Sequence, residues 1–190
     1  MLPALNPHSK PSGALDLDRD LTFRDARPDD AADLAEIGRE TFAETFGHLY
    51  PPADLKTYLD ETYALEKMQA DLHDADVEIR MAFSGRRCIA YCKIGPVKLP
   101  TDVGPEPALE LHRVYVSKFR QGVGVGRILL TWAIERARRR GARNLFLGVW
   151  QGNARAIAVY ESRGFERIGS YKFVVGGTRD DEIIMRLRLA

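Results

Sequence analysis

One stretch of the chain, residues 114–127, reads Val114-Tyr115-Val116-Ser117-Lys118-Phe119-Arg120-Gln121-Gly122-Val123-Gly124-Val125-Gly126-Arg127. Its apolar start predicts a strand, and its glycines predict a turn that opens a long helix. Because glycine adopts positive φ and has no Cβ atom, successive backbone N–H groups can converge on an anion at the helix start. The stretch therefore predicts a phosphate-binding turn, although a turn without any ligand has the same glycine spacing.

Two familiar nucleotide-binding patterns do not fit this turn. A dinucleotide fingerprint that starts at Gly122 requires a glycine where Arg127 stands, and an acidic residue is wanted near Asn144. A phosphate loop requires a lysine and a hydroxyl residue after its second glycine, and neither is present. The turn is therefore of another kind.

The remaining pattern predicts one domain over residues 21–190, preceded by a flexible tail over residues 1–20 that is rich in proline and lacks periodicity. The helix after the glycine turn has an apolar stripe that includes Leu130, Ala133 and Ala137, so it packs one face on a sheet. Predicted strands cover residues 21–26, 77–83, 88–94, 108–116, 145–150, 165–175 and 181–189, and predicted helices cover 29–46, 52–63, 64–72, 124–140 and 154–163.

The composition excludes several classes of partner. The 190 residues include 28 basic and 27 acidic side chains, and the net charge of +1 provides no field to attract nucleic acid or an anionic membrane. No apolar segment reaches the roughly 20 residues needed to cross a bilayer. Cys88 and Cys92 read as small core residues of a reducing compartment. We therefore expect a cytoplasmic protein without nucleic-acid or membrane partners.

The segment from Gln121 to Gly126 resembles the Q/R-x-x-G-x-G/A pyrophosphate motif of GNAT acetyltransferases. A second segment, residues 153–165, resembles the later signature of that family, in which an asparagine starts a helix that carries a tyrosine and ends at Gly-Phe. The resemblance implies an α/β fold: a single mixed, centrally splayed β-sheet of about seven strands flanked by about four helices. It also implies acetyl-CoA as cosubstrate, no metal, and leaves a homodimer open.

The resemblance assigns roles by position. The backbone of Val114, Tyr115 and Val116 would contact the pantetheine and thioester, Asn153 would bind the pantetheine arm, and Tyr160 would protonate the leaving thiolate. The bland alternatives are core packing for the valines and the tyrosine, and helix capping for the asparagine. The pyrophosphate would lie against Gln121, Gly122, Val123, Gly124, Val125, Gly126 and Arg127.

Transfer of an acetyl group to an amine also requires a base for the incoming ammonium group. Strand alternation predicts that Glu110 and His112 point the same way as Val114 and Val116, into the same cleft. Burial beside an apolar cofactor would raise the pKa of Glu110 toward a useful value. Either residue could instead be structural.

The acceptor is predicted from Glu40 and Glu44, which share one helix face and could line a cation-attracting cleft. Segments 40–47, 147–150 and 181–185 resemble the PaiA type of the family, which acetylates spermidine and spermine. We therefore expect a primary amine acceptor, with a polyamine favoured. The alternatives are a peptide or another small amine as acceptor, or an acetyl-CoA-binding module without catalysis.

Overall fold

A computed structural model of the chain describes residues 21–189, so the predicted tail and residue 190 lie outside the described residues. Seven strands and five α-helices make up this part of the chain. The count of helices is one above the expected four if the short helix over residues 65–73 is counted separately from the helix before it. The elements are β1 (Leu21–Asp25), α1 (Ala31–Phe46), α2 (Pro52–Thr62), α3 (Leu65–His73), β2 (Glu78–Ser84), β3 (Arg87–Gly95), β4 (Ala108–Val116), α4 (Val125–Arg139), β5 (Asn144–Trp150), α5 (Ala154–Glu161), β6 (Glu166–Val175) and β7 (Thr178–Arg188).

The strands form one mixed sheet in the order β1-β2-β3-β4-β5-β7-β6. Neighbours are antiparallel except β4 and β5, which are parallel and pair only from Ala108 with Asn144 to Glu110 with Phe146. Beyond Glu110 the two strands separate, although β4 continues to Val116. The predicted splayed, mixed sheet is confirmed, and the separation opens a cleft at its centre.

Helices cover both faces of the sheet. The stripe of α4 that includes Leu130, Ala133 and Ala137 is buried in one core, as predicted. On the opposite face, α1 buries Leu34 and Phe42 in a second core with side chains of β2 and β3. No helix within residues 21–189 has the length and the apolar composition to span a membrane.

A β-bulge in β4 reverses the predicted orientation of its side chains. Lys93 pairs with Arg113 while the next residue of β3, Ile94, pairs with Leu111, so His112 is an extra residue in the ladder. Leu111 before the bulge and Val114 after it consequently pack in the same core. The predicted common face of Glu110 and His112 with Val114 and Val116 is wrong, because the inserted residue shifts the alternation by one position.

The face opposite Val114 and Val116 therefore carries a different set of side chains. Tyr115 packs with the α1 core, and Arg113 precedes it by two residues on the same face. Glu110 pairs with Phe146, one position away from the Leu109 and Leu145 pair of the α4 core. The bulge thus turns charged and aromatic residues of β4 toward the side covered by α1.

Candidate active site

The separated ends of β4 and β5 enclose one cavity of about 500 Å³. At one end its wall is the glycine turn and the start of α4, including Gly124 and Arg127. At the other end the wall is α1, with Thr45 and Phe46, and the strands β6 and β7. The cavity is thus lined by residues from both faces of the sheet.

The glycine turn has the geometry that its sequence predicts. Gly122 and Gly124 have φ values of +88° and +92°, and Gly124 is the N-cap of α4. A Cβ atom built on Gly124 would meet no atom within 4 Å, so the turn is open on that side. The side chain of Val125 is buried in the core and that of Val123 is exposed outside the cavity lining, so both could serve a ligand only through the backbone. The arginines that line this end are Arg120, Arg127, Arg155 and Arg163.

The backbone of β4 faces the opening beside this turn. The N–H group of Ser117 donates to Ile89 of β3 at 2.9 Å, so by alternation the peptide groups of Val116 and Val114 point away from β3 and toward the cleft. Gln121 donates from Nε2 to the carbonyl oxygen of Val116 at 3.2 Å. Its Oε1 atom accepts a hydrogen bond from Arg155 at 3.3 Å. Gln121 therefore ties the strand, the turn and α5 together.

Tyr160 and Asn153 lie at the two ends of α5, and both line the cavity. The ring of Tyr160 packs against Phe165 with 5.7 Å between centroids, and burial raises the pKa of Tyr160 above its ordinary value of 10.0. Its hydroxyl group therefore stays protonated and able to donate. Asn153 accepts the N–H of Ala156 at 3.1 Å as a helix N-cap, so its capping and lining positions coexist.

Glu110 and His112 both line the cavity but are held by the protein itself. The N–H groups of Lys98 and Leu99 donate to Oε2 of Glu110 at 2.6 and 3.0 Å, and Nδ1 of His112 lies 3.1 Å from Oε1. Burial alone would raise the pKa of Glu110, but these donors lower it below its usual 4.5. The expected upward shift is therefore wrong. The Nε2 atom of His112 is buried without a partner among the described residues, and it would lie 3.1 Å from a Cβ atom at Gly95.

A second carboxylate in the cavity, Glu182 on β7, was not found from the sequence. It accepts a hydrogen bond from the hydroxyl of Tyr171 at 2.9 Å, and burial raises the pKa of Glu182 above 4.5. Both groups crowd Gly148 of β5, where a Cβ atom would lie 2.8 Å from Tyr171 Oη and 3.0 Å from Glu182 Oε2. A glycine inside an apolar strand often marks such a close approach, and this was the available signal.

Aromatic rings form the wall on the α1 side. Phe46 meets Trp150 edge to face at 6.2 Å between centroids and lies 6.4 Å from Tyr115. Phe173 of β6 also lines the cavity. Among residues 21–189 no group of three or more His, Cys, Asp or Glu side chains is arranged to hold a metal ion. The site is thus built from aromatic rings, a few charged side chains and backbone groups.

Comparison with known proteins gives the family. The model of the Acetyltransferase (GNAT) family matches residues 39–165. The chain belongs to the GNAT acetyltransferases. The match includes the glycine turn, the separated ends of β4 and β5, and α5, so the two motifs that suggested the family lie inside it.

Relatives of this GNAT acetyltransferase agree with the assignment. The "Uncharacterized N-acetyltransferase in pepI 3'region" of Lactobacillus delbrueckii subsp. lactis is 29% identical over 160 residues, which are 84% of this chain and 92% of that protein. The ribosomal protein bS18-alanine N-acetyltransferase of Escherichia coli is 38% identical over 82 residues, 42% of this chain and 55% of that protein. The structure of PaiA N-acetyltransferase from Thermoplasma acidophilum in complex with coenzyme A matches with a TM-score of 0.73 at 20% identity, covering 88% and 98% of the two chains. This last likeness shows that the fold is shared.

In this GNAT domain, Glu40 and Glu44 of α1 lie outside the cavity lining. Glu40 accepts hydrogen bonds from Arg87 at 3.0 Å and from the hydroxyl of Ser117 at 3.1 Å. Glu44 accepts the N–H of Lys118 at 2.9 Å. The two carboxylates therefore fasten α1 to the segment after β4, and the α1 residues that reach the cavity are Thr41, Phe42, Thr45 and Phe46.

Proposed function

We propose that this N-acetyltransferase moves an acetyl group directly from acetyl-CoA to a primary amine. The observation that carries the proposal is one cavity lined by a glycine turn at a helix start, a protonated tyrosine and a carboxylate with a raised pKa. They offer a hold for the phosphates of the cosubstrate, a proton donor for the departing thiolate and a proton acceptor for the incoming ammonium group. The family and the CoA complex of the Thermoplasma acidophilum relative support acetyl-CoA as the donor.

The residues of the turn fit an anionic cosubstrate. Backbone N–H groups at the start of α4 supply hydrogen-bond donors at the positive end of a 15-residue helix. The arginines around this end, among them Arg127 and Arg155, add positive charge where phosphates would lie. When bound, acetyl-CoA supplies the activated acetyl group, and Asn153 and the cleft-facing peptide groups of Val114 and Val116 line its path toward Tyr160.

The burial of both cysteine thiols supports direct transfer without an acyl-cysteine intermediate. Cys88 and Cys92 are both buried, and neither lines the cavity. Burial raises the pKa of Cys88 to about 12, and that of Cys92 also lies above its ordinary value. A thiol without access and without its thiolate form is a poor acyl carrier, so the amine itself is the nucleophile in the proposal.

The proton steps are assigned to two groups. Tyr160 donates its hydroxyl proton to the departing thiolate, since its raised pKa keeps it neutral. Glu182 accepts the proton from the incoming ammonium group, because a raised pKa makes its carboxylate a better base than an ordinary one. Glu110 and His112, the bases predicted from the sequence, remain candidates, but the donors around Glu110 weaken it as a base.

A polyamine remains one of the proposed acceptors and should be assayed. Its support is reduced, because Glu40 and Glu44 already bind groups of the protein, and Glu110 is similarly occupied. A peptide α-amine is the second acceptor, favoured by the identity shared with the bS18-alanine N-acetyltransferase of Escherichia coli. A binding module without catalysis is disfavoured by Tyr160 in the cavity lining.

The proposal also includes the domain boundary, the cellular location and the oligomeric state. We retain residues 21–190 as one domain, a cytoplasmic location consistent with two buried free thiols, and a homodimer. The homodimer would use β6, which lies at the edge of the sheet and exposes Ile168 and Val174. Sedimentation of the purified protein would test the last point.

The deciding experiment measures CoA release from acetyl-CoA with a panel of amines: spermidine, a monoamine of similar length, a peptide and free amino acids. Calorimetry with acetyl-CoA is run in parallel. Binding together with amine-dependent CoA release supports the proposal. Binding without release for any amine supports the non-catalytic module, and failure to bind acetyl-CoA overturns the proposal.

A further inference from the structure

The cavity contains a cation that the proposed reaction does not use. Arg113 follows the bulge of β4 and lines the cavity on the α1 side. Its Nη1 atom donates to the carbonyl oxygen of His112 at 2.8 Å, the one hydrogen bond that it makes with good geometry within residues 21–189, and the buried Tyr63 hydroxyl lies near the guanidinium. Its Nε and Nη2 atoms are thus left with free donors beside the cavity.

No carboxylate compensates this charge at close range. Within residues 21–189, Arg113 has no carboxylate oxygen closer than 4.0 Å. The charged groups that Arg113 influences are Lys93, its partner across the ladder, and Glu182 of the cavity wall. Lys93 is already paired with Asp71, and Glu110 with His112. A half-buried guanidinium that is always protonated is costly without a partner, so this side chain is suited to bind an anionic group.

The aromatic rings around Arg113 orient its guanidinium group but do not neutralise its charge. Its Cζ atom lies 5.7 Å from the ring centroid of Tyr115, and the Tyr115 ring meets that of Tyr91 edge to face with 5.8 Å between centroids. Such rings attract a cation weakly and hold the planar group in place, but they cannot replace a carboxylate. The bulge at His112 places this guanidinium on the α1 side of the sheet.

We infer that Arg113 binds a carboxylate of the acceptor, so that the acceptor is an amino acid rather than a polyamine. The inference rests on the proposed function, whose amine it specifies. A planar guanidinium with free Nε and Nη2 donors fits a carboxylate through two parallel hydrogen bonds. The same cavity offers the Glu182 carboxylate for the ammonium group, so its charges match those of one amine and one carboxylate.

The rest of the wall indicates the side chain. Phe46, Trp150 and Phe173 line the α1 side of the cavity, and Leu99 lies close to Gly148 there. This surface fits an apolar or aromatic side chain. A polyamine would instead bring two or more positive charges to a wall that already holds an uncompensated guanidinium, and like charges in a partly buried site repel strongly.

The test compares acceptors that differ only in the carboxylate. Phenylalanine, leucine and methionine are each assayed beside their own amides, with the parent enzyme and with Arg113→Gln and Arg113→Lys. We expect the parent to prefer at least one amino acid over its amide, and Arg113→Gln to reduce kcat/KM for that amino acid about 10- to 100-fold, mainly through KM. The amide should lose little. Arg113→Lys should recover part of the loss, since it retains the charge but not the fork.

A binding measurement separates this inference from the proposed function. Calorimetry with the N-acetylated amino acids needs no turnover, and Arg113→Gln should weaken their binding while acetyl-CoA affinity stays the same. Amides turned over as well as amino acids by the parent, or equal losses for both in a folded Arg113 variant, would overturn the role of Arg113 and leave the acetyltransferase proposal standing. Arg113-dependent binding of the acetylated amino acid without any amine-dependent CoA release would do the reverse. If Arg113→Gln does not fold, Arg113→Lys decides.

Discussion

The Nδ1 atom of His112 lies 3.1 Å from Oε1 of Glu110, across the β-bulge of β4. The N–H groups of Lys98 and Leu99 also donate hydrogen bonds to this carboxylate, which is one of the two bases predicted from the sequence. This pair holds the loop before β4 against the strand at the point where the sheet begins to open.

Replacement of Glu110 should therefore affect stability more than the proton step. Glu110→Gln keeps the shape but weakens three hydrogen bonds, and we expect the free energy of unfolding to fall by about 1–3 kcal/mol. The pH dependence of kcat/KM should keep its parental form. Urea unfolding and a pH–rate profile of the same preparation measure both. Loss of the acidic limb in a folded variant would restore Glu110 as the base.

Glu182 is expected to set that limb. Because the base must be ionised to accept a proton and burial raises the pKa of Glu182, activity should rise with pH through a value above 4.5. Glu182→Gln should lower kcat about 10²- to 10⁴-fold. The control is Asp181→Asn, since this neighbouring carboxylate pairs with Lys172 on the surface. If Glu182→Gln and Asp181→Asn have the same pH–rate profile, Glu182 is excluded as the base.

Tyr160→Phe tests the acid. The ring keeps its contact with Phe165 while the proton is lost, so kcat should fall about 10²- to 10⁴-fold with acetyl-CoA affinity nearly unchanged. Tyr58→Phe serves as the matched control, because Tyr58 packs against Phe42 outside the cavity lining. If chemistry limits the rate and kcat does not change, water protonates the thiolate.

The glycine turn can be tested with a matched pair of glycines. Gly124 and Gly141 both have positive φ, and a Cβ atom on either would meet no atom within 4 Å. Gly124→Val and Gly141→Val therefore carry a similar backbone strain of about 1–3 kcal/mol. Only the first, at the start of α4, should weaken acetyl-CoA binding. Calorimetry showing equal affinities for the two folded variants would place the phosphates elsewhere.

A stability prediction concerns Asp30, at the entrance to α1. It accepts two hydrogen bonds from Arg24, at 2.6 and 2.7 Å, and these lower the pKa of Asp30 below its ordinary 3.8, although burial opposes the shift. Since the folded pKa is depressed, the pair stabilises the fold above about pH 4, and the stabilisation is lost as the pH falls through the folded value.

Asp30→Asn should accordingly reduce the free energy of unfolding at pH 7 by about 2 kcal/mol. The difference from the parent should shrink as the pH falls below about 4, because the parent then becomes protonated as well. Urea unfolding at several pH values measures this. Asp60→Asn is the control, since Asp60 is an exposed partner of Arg39 and Lys56 and should contribute little. A difference that does not vary with pH would contradict the prediction.

Local features of this protein were determined by the sequence alone. The turn from Gln121 to Gly126 depends on backbone freedom at glycine and on the helix that follows, and both can be recognised within a few residues. The amphipathic stripe of α4 and the Asn153 cap are local in the same sense. The motifs at residues 121–126 and 153–165 were enough to suggest the family, and the resemblance to that family implied the splayed sheet and the end of the cleft that would hold phosphates.

Only the tertiary structure decided which side chains line the α1 side of the cavity. One inserted residue, His112, exchanges the faces of β4 and brings Arg113 to the α1 side, and no composition or period marks it. Glu182 reaches the cavity because β7 pairs with β5 beside Gly148, a register between distant segments. Glu40, which the sequence assigned to the substrate, is instead bound by Ser117, far along the chain. Such long-range pairings determine which charges line the cavity, whereas a local sequence pattern shows only that the charged residues are present.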